Sequence, residues 1–206
     1  MEKQGIHIVA AAGSVRAGNF TSKALALVVD EVKRHQDVTV DAIDLATIEL
    51  PLPGRGESAD GKRIQKLVSE ATGLVLATPE YHGSYSSVIK LLIENLGFPS
   101  LLSGKPVALL GVAAGQIGAI KALEHLRSVC SHVGAIVLPG PVSVAGVQGL
   151  FDKEGRCLDA ATEKRIRGVA TSLLDYIRGH ICPSVALEEM VRQGTTKWMR
   201  YVAAGS

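Results

Sequence analysis

The chain has 206 residues, of which 47% are hydrophobic, so it can build one substantial core and length alone favours a single domain. Its net charge of +2, without a run of lysine and arginine, and its aromatic content of 4% argue against nucleic-acid binding. No stretch of 18 apolar residues is present, so no membrane span is predicted. Cys130, Cys157 and Cys182 are widely separated and odd in number, which is typical of reduced thiols in a cytoplasmic protein.

Short apolar strands alternate with amphipathic helical patterns along the chain. The predicted strands are 6–10, 38–43, 73–78, 107–111 and 135–138. Because a crossover follows each strand, the pattern favours a parallel sheet covered by helices on both faces. We predict a flavodoxin-like α/β sandwich of three layers, with a five-stranded sheet in the order 2-1-3-4-5. This domain is expected to span residues 1–180, with residues 181–206 as a C-terminal extension and not a separate domain.

A polar loop that contains two glycines follows the first strand. It runs over residues 13–22 and leads into an amphipathic helix. Its glycines permit close backbone approach, and the helix N-terminus adds unpaired N–H groups and the positive end of the helix dipole. Asn19 stands where a P-loop needs its lysine, and no G-x-G-x-x-G is present, so the loop suits a single phosphate group. The alternative is an ordinary glycine turn with a hydroxyl cap for the helix.

A second informative loop, Pro79-Glu80-Tyr81-His82-Gly83-Ser84, follows the third strand. It places rings, a carboxylate and backbone amides at the carboxyl edge of a strand, which is where ligands bind in open α/β sheets. The alternative is a plain strand-to-helix connection in which Ser84 or Ser86 caps the next helix. In the predicted strand order the first and third strands are neighbours, so we expect the two loops to meet.

Three ordered motifs resemble those of the NADPH-dependent FMN reductase family, close to its bacterial quinone- and chromate-reducing branch. The family's G-S-x-R-x-x-S corresponds to residues 13–19, with Asn19 in place of serine. Its P-E-Y-N-x-S corresponds to residues 79–84, with His82 in place of asparagine. Its G-x-S-x-G-x-x-G corresponds to residues 111–118, with Ala113 in place of serine, and H-L-R follows at 125–127. The resemblance covers roughly residues 5–178.

This resemblance implies an FMN-containing oxidoreductase that takes hydride from NADPH or NADH. It would pass electrons to a quinone, free flavin, metal ion or similar small-molecule acceptor by a ping-pong mechanism. The hydride chemistry would belong to FMN, so no catalytic side chain and no metal site is expected. The alternative is a non-enzymatic electron carrier of the flavodoxin type, although flavodoxins are usually strongly acidic.

The resemblance also assigns the residues of an FMN site. The phosphate would be held by Ser14, Arg16, Asn19 and Thr21, with Phe20 beside the ribityl chain or a neighbouring subunit. The isoalloxazine edge would be lined by Tyr81, His82, Gly83 and Ser84, and the rest of the site would comprise Pro79, Glu80 and Gly115. A homodimer or homotetramer is expected because the helix from Ser86 to Gly97 is apolar around more of its circumference than one sheet face can cover.

Overall fold

Strands and helices alternate through most of the chain, and a computed structural model describes residues 5–193. The strands are β1 Ile6–Ala12, β2 Val38–Asp44, β3 Gly73–Pro79, β4 Pro106–Val112, β5 Ile136–Val137 and β6 Val142–Val144. The helices are α1 Phe20–Lys33, α2 Ala59–Glu70, α3 Ser87–Glu94, α4 Ile120–His132, α5 Ala160–Tyr176 and α6 Cys182–Arg192. The described residues form two compact units, residues 5–173 and residues 174–193.

The sheet in the first unit is parallel, with the order β2-β1-β3-β4-β5. This confirms the flavodoxin-like order predicted from the sequence. Strands β3 and β4 are buried at every residue, as expected for continuous apolar runs that carry helices on both faces. The order makes β1 and β3 neighbours, with Ala12 opposite Ala77, so the loops that follow these strands leave the sheet side by side.

The fifth position of the sheet is divided between two short strands. Strand β5 pairs with the start of β4, and β6 pairs with its end. Pro139 and Pro141 lie between them, and neither has an N–H group to donate to a ladder. The single strand predicted over Ala135–Leu138 is therefore wrong in extent, and β6 was not predicted.

The second unit is helical over its described residues. A π-helical segment, Ile177–Ile181, leads into α6. The rings of Tyr176 and His180 lie 4.8 Å apart between their centroids. The boundary predicted near residue 180 remains a prediction, and residues 194–206 of the predicted extension lie outside the described residues. Over residues 5–193 the structure has no helix with the length and apolar character needed to cross a bilayer.

Candidate active site

The loops after β1 and β3 meet at the carboxyl edge of the sheet, as the strand order predicts. We call residues 13–19 the first loop and residues 79–84 the second loop. The hydroxyl oxygens of Ser14 and Tyr81 lie 3.4 Å apart. The guanidinium carbon of Arg16 lies 4.7 Å from the centroid of the Tyr81 ring, within the range of a cation–π contact. Tyr81 therefore contacts Ser14 and Arg16 of the first loop.

Gly13 is required by the close approach of α3 to the first loop. A Cβ atom at this position would lie 2.2 Å from Cγ1 of Ile89 and 2.8 Å from Oγ of Ser86. Ser86 is itself the N-cap of α3, since its Oγ accepts a hydrogen bond from the Ile89 amide. Because Gly13 has no side chain, the start of α3 can pack directly against the backbone of the first loop.

Asn19 closes the first loop and caps α1. Its Oδ1 accepts a hydrogen bond from the Ser22 amide at 2.7 Å, and its Nδ2 donates to the carbonyl of Arg16 at 2.8 Å. A longer contact of 3.4 Å joins Nδ2 to the carbonyl of Ser14. The Asn19 amide group is therefore engaged by the loop itself, and its predicted contact with a phosphate remains a prediction.

The first loop also carries polar groups without partners. Among the described residues, no carbonyl or side chain accepts a hydrogen bond from the backbone N–H groups of residues 15–18. The Ser22 hydroxyl is buried and has no partner either. Buried polar groups are normally satisfied, and free N–H groups ahead of a helix favour an anion. The loop is therefore suited to a phosphate group.

The second loop is a tight hairpin turn. Tyr81 and Ser84 exchange backbone hydrogen bonds of 2.9 and 3.0 Å. Between them, His82 and Gly83 have φ angles of +50° and +73°. Two successive left-handed residues define the type I′ turn, which favours Asn and Gly at these positions. His82 is exposed, so the turn constrains its backbone and leaves its ring in solvent.

Glu80 joins the second loop to α4. Its Oε2 accepts a hydrogen bond from the Ala122 amide at 3.0 Å, and its own amide donates to the carbonyl of Val112 at 2.9 Å. Ala119, the N-cap residue of α4, has no side chain that can cap the helix. The Glu80 carboxylate supplies the acceptor and the negative charge that the start of α4 lacks. Sequence reasoning missed this role, although the uncapped start of α4 was a visible signal.

Two further side chains of α4 reach the second loop, and neither was predicted to do so. His125 places Nδ1 3.0 Å from the Ser84 hydroxyl. The Lys121 side chain passes beside Gly83, where its Cδ would lie 3.5 Å from a Cβ atom added to that glycine. With Glu80, these contacts hold the second loop against the first two turns of α4.

The third motif of the sequence forms the loop between β4 and α4. The Gly115 carbonyl accepts hydrogen bonds from the amides of Gly118 and Gly146, at 3.2 and 3.1 Å. The amide of Ala113 donates to the carbonyl of Val144 at 2.9 Å. The unpredicted strand β6 therefore supports this loop. Gly115 is exposed, and its contact with FMN remains a prediction.

Phe20 packs against the hairpin at residues 151–157. Its ring lies 6.3 Å from that of Phe151, measured between centroids. Lys23 Nζ lies 5.4 Å from the Phe20 centroid and donates to the carbonyl of Asp152 at 2.8 Å. In this structure Phe20 anchors a neighbouring hairpin, and its place beside a ribityl chain or a second subunit remains a prediction.

The thiol of Cys130 is free and buried. Burial raises its pKa to about 12, so the thiolate is absent at neutral pH. Burial likewise raises the pKa of Tyr85, which lies between the second loop and α3. Neither group is available as an ionised nucleophile or base.

Residues 6–149 match the sequence model of the family described as NADPH-dependent FMN reductase. The chain belongs to this family. It is 31% identical over 182 residues to an NAD(P)H-dependent FMN reductase of Pseudomonas aeruginosa, covering 84% of this chain and 96% of that protein. It is 26% identical to a 2-hydroxy-1,4-benzoquinone reductase of a Burkholderia species, covering 84% and 97%. Its fold is similar to that of a Paracoccus denitrificans flavoenzyme, an NAD(P)H:(acceptor) oxidoreductase, with a TM-score of 0.71, 21% identity and coverage of 85% and 98%.

Membership of the NADPH-dependent FMN reductase family confirms three predictions made from the sequence. The protein is an oxidoreductase and not a non-enzymatic carrier, its cofactor is FMN, and its reductant is NADPH or NADH.

Two departures from the family's motifs have local structural explanations. Asn19 replaces serine where a helix N-cap is needed, and both residue types cap well. His82 replaces asparagine at a left-handed position, which Asn and His adopt more readily than most residues do.

Proposed function

We propose that this oxidoreductase passes the electrons of NAD(P)H to a quinone, with free flavin, a metal ion or a similar small molecule as other acceptors. The observation that carries the proposal is the contact between Ser14 and Tyr81. It joins a loop suited to a phosphate and a loop suited to a ring at the edge of the sheet where α/β proteins bind ligands. The Burkholderia relative named as a quinone reductase supports a quinone as acceptor.

The first loop would bind the FMN phosphate. Ser14, Arg16 and Thr21 would contact it together with the free N–H groups of the loop, and Asn19 would hold the loop in shape or add a contact of its own. A buried Ser14 hydroxyl and a cationic Arg16 give charge-assisted hydrogen bonds, which are the strong ones. Phe20 would flank the ribityl chain or a second subunit.

The second loop would border the isoalloxazine ring. The residues that form this border are Pro79, Glu80, Tyr81, His82, Gly83 and Ser84, with Gly115 from the third motif. FMN, when bound, supplies the acceptance and donation of hydride, so these residues need only bind and orient. Glu80 and Ser84 would fix the height of the loop above the sheet, because both are tied to α4.

Turnover would be ping-pong. Nicotinamide and acceptor would occupy one place beside the second loop in succession. NAD(P)⁺ must then leave before the quinone binds. This order follows from the sharing of one site and needs no movement of the fold.

The test is to extract and identify the flavin of the purified protein and then to titrate the protein anaerobically with NADPH and with NADH. We expect FMN and loss of its oxidised absorbance with at least one nucleotide, followed by recovery when a quinone is added. FAD as the bound flavin, or a reduced protein that no quinone reoxidises, would contradict the proposal.

The active form would be a homodimer or homotetramer. Val88 and Leu91 of α3 remain half-buried although the helix packs its Ile89, Leu92 and Ile93 into the core. A second copy of the chain would cover this remaining apolar surface. Light scattering at micromolar concentration tests this proposal, and a monomer would refute it.

A further inference from the structure

Two cationic side chains border the second loop. Arg16 stacks on the Tyr81 ring, and Lys121 runs alongside Gly83. Both side chains are exposed at this edge of the sheet. The place that the proposed function gives to the nicotinamide and the acceptor is therefore bordered by positive charge.

Only one of these charges is left uncompensated in the proposed complex. The Arg16 guanidinium would face the FMN phosphate, which carries close to two negative charges at neutral pH. The nearby Glu80 carboxylate is hydrogen-bonded to the start of α4, whose helix dipole offsets part of its charge. Glu124 lies on the next turn of α4, but within residues 5–193 neither it nor any other carboxylate forms a salt bridge with Lys121. The Lys121 ammonium thus contributes a net positive charge.

The same segment also exposes apolar side chains. Ile117 is 82% exposed and Ile120 is 48% exposed, four residues and one residue before Lys121 in the chain. Apolar surface next to an unpaired cation suits a flat, apolar ring that carries a negative substituent. A neutral quinone would use the apolar surface alone.

We propose that the acceptors of this enzyme are anionic quinones, such as hydroxyquinones ionised at neutral pH or quinone sulfonates, and that Lys121 is the residue that selects them. The inference rests on the proposed function and specifies its substrate class. In the reaction NAD(P)H is oxidised to NAD(P)⁺ and gives up a hydride. The quinone takes up those two electrons together with two protons, one from the hydride and one from solvent. A quinone sulfonate keeps its negative charge as the hydroquinone. An ionised hydroxyquinone takes up a third proton from solvent, because its hydroxyl becomes an ordinary phenol, whose pKa is about 10.

The test compares one anionic and one neutral acceptor on the same enzyme. The FMN-loaded protein is reduced anaerobically with one equivalent of dithionite, mixed with 1,4-naphthoquinone-2-sulfonate or with 2-methyl-1,4-naphthoquinone, and followed by the recovery of flavin absorbance. Because no nucleotide is present, this half-reaction excludes effects of Lys121 on the binding of NADPH or NADP⁺. The variants are Lys121→Gln and Lys121→Arg, with Lys66→Gln on the exposed face of α2 as a control of equal net charge.

In low salt, Lys121→Gln is expected to lower the bimolecular rate constant for the sulfonate about three- to tenfold more than that for the neutral quinone. Lys121→Arg should restore the ratio, Lys66→Gln should leave it at the wild-type value, and salt at about 0.5 M should shrink the difference by screening. If Lys121→Gln changes both rate constants equally, or changes neither, the proposal is overturned while the quinone reductase function stands. If neither quinone reoxidises the wild-type protein, the proposed function fails first.

Discussion

The carboxylate of Glu80 accepts a hydrogen bond from the amide of Ala122 at 3.0 Å, and this single contact ties the second loop to the start of α4. It performs two tasks. It caps a helix whose own N-cap residue is Ala119, and it fixes the turn at residues 81–84 relative to the sheet. A residue predicted to belong to the cofactor site thus has a structural function that can be measured without the cofactor.

Replacement of Glu80 should therefore lower stability. We expect Glu80→Ala to reduce the free energy of unfolding by about 1 kcal/mol, the usual cost of losing a helix cap. Glu80→Gln keeps an acceptor oxygen and should cost less. Urea unfolding of the flavin-free protein measures both, with Glu124→Ala on the same helix as the control. Equal midpoints for Glu80→Ala and Glu124→Ala would show that the cap contributes nothing.

Arg16→Ala should weaken FMN binding and leave the fold intact. The loss of one charge-assisted contact is expected to cost about 1 to 3 kcal/mol of binding free energy. Quenching of flavin fluorescence on titration gives the dissociation constants. Arg63→Ala, an exposed arginine of α2, is the matched control. Unchanged FMN affinity in the Arg16 variant would remove this residue from the phosphate site.

The stability of variants at position 82 should depend on how readily the new residue adopts a left-handed backbone conformation. His82 has φ of +50°, so His82→Asn and His82→Gly should unfold at nearly the wild-type urea concentration. His82→Val should lose about 1 to 2 kcal/mol, because a β-branched side chain clashes with its own backbone there. Should valine prove as stable as asparagine, the turn geometry is not what restricts this position.

Steady-state kinetics should show the order of binding. With NAD(P)H and a quinone varied together, double-reciprocal plots are expected to be parallel, since one place serves both substrates in turn. Product NAD(P)⁺ should compete with the quinone for the same reason. Lines that intersect, without substrate inhibition, would instead require both substrates to be bound at once.

Acid should selectively remove a contact between α1 and α5. Arg167 donates to Asp30 at 2.6 Å and to Glu163 at 2.8 Å, and its hydrogen bond to Asp30 holds the pKa of that carboxyl below the usual 3.8. A lowered folded-state pKa stabilises the protein fully above the unfolded value, and this stabilisation is lost as the pH falls through the folded value. Asp30→Asn should therefore unfold at lower urea than wild type at pH 7, and this gap should close below a pH of about 3.8. Glu70→Gln, an exposed change on α2, should show no such gap, and a gap that persists in acid would contradict the assignment.

Much of the fold could be predicted because buried parallel strands consist of apolar residues in unbroken runs. Strand β3 extends one residue beyond its predicted end, and β4 extends one residue beyond its predicted bounds at each end. The fifth strand could not be predicted in the same way, since Pro139 and Pro141 interrupt it and β6 has only three residues. Helix α3 ends at Glu94, earlier than the apolar pattern to Gly97 indicates, because apolar residues past a helix end can still pack in the core.

The site could be located from the sequence, but its contacts could not. Motif spacing and strand order together bring Ser14 and Tyr81 to one edge, which is a matter of topology. The contacts of Lys121 and His125 with the second loop depend on how far α4 lies from that loop, and the apolar pattern of α4 shows only which of its faces is buried. The role of Asn19 lies between these cases, because an asparagine before an amphipathic helix predicts a cap as well as a phosphate ligand.

The divided strand at the fifth position also affects how the protein behaves towards other chains. The outer edge of a sheet invites addition of a further strand, and long regular edges are sites of aggregation. Here β5 pairs through only two residues, and Pro139 and Pro141 separate it from β6, so an incoming strand would meet no continuous row of donors. The two prolines that divide the fifth strand thus also protect this edge of the sheet from pairing with a strand of another chain.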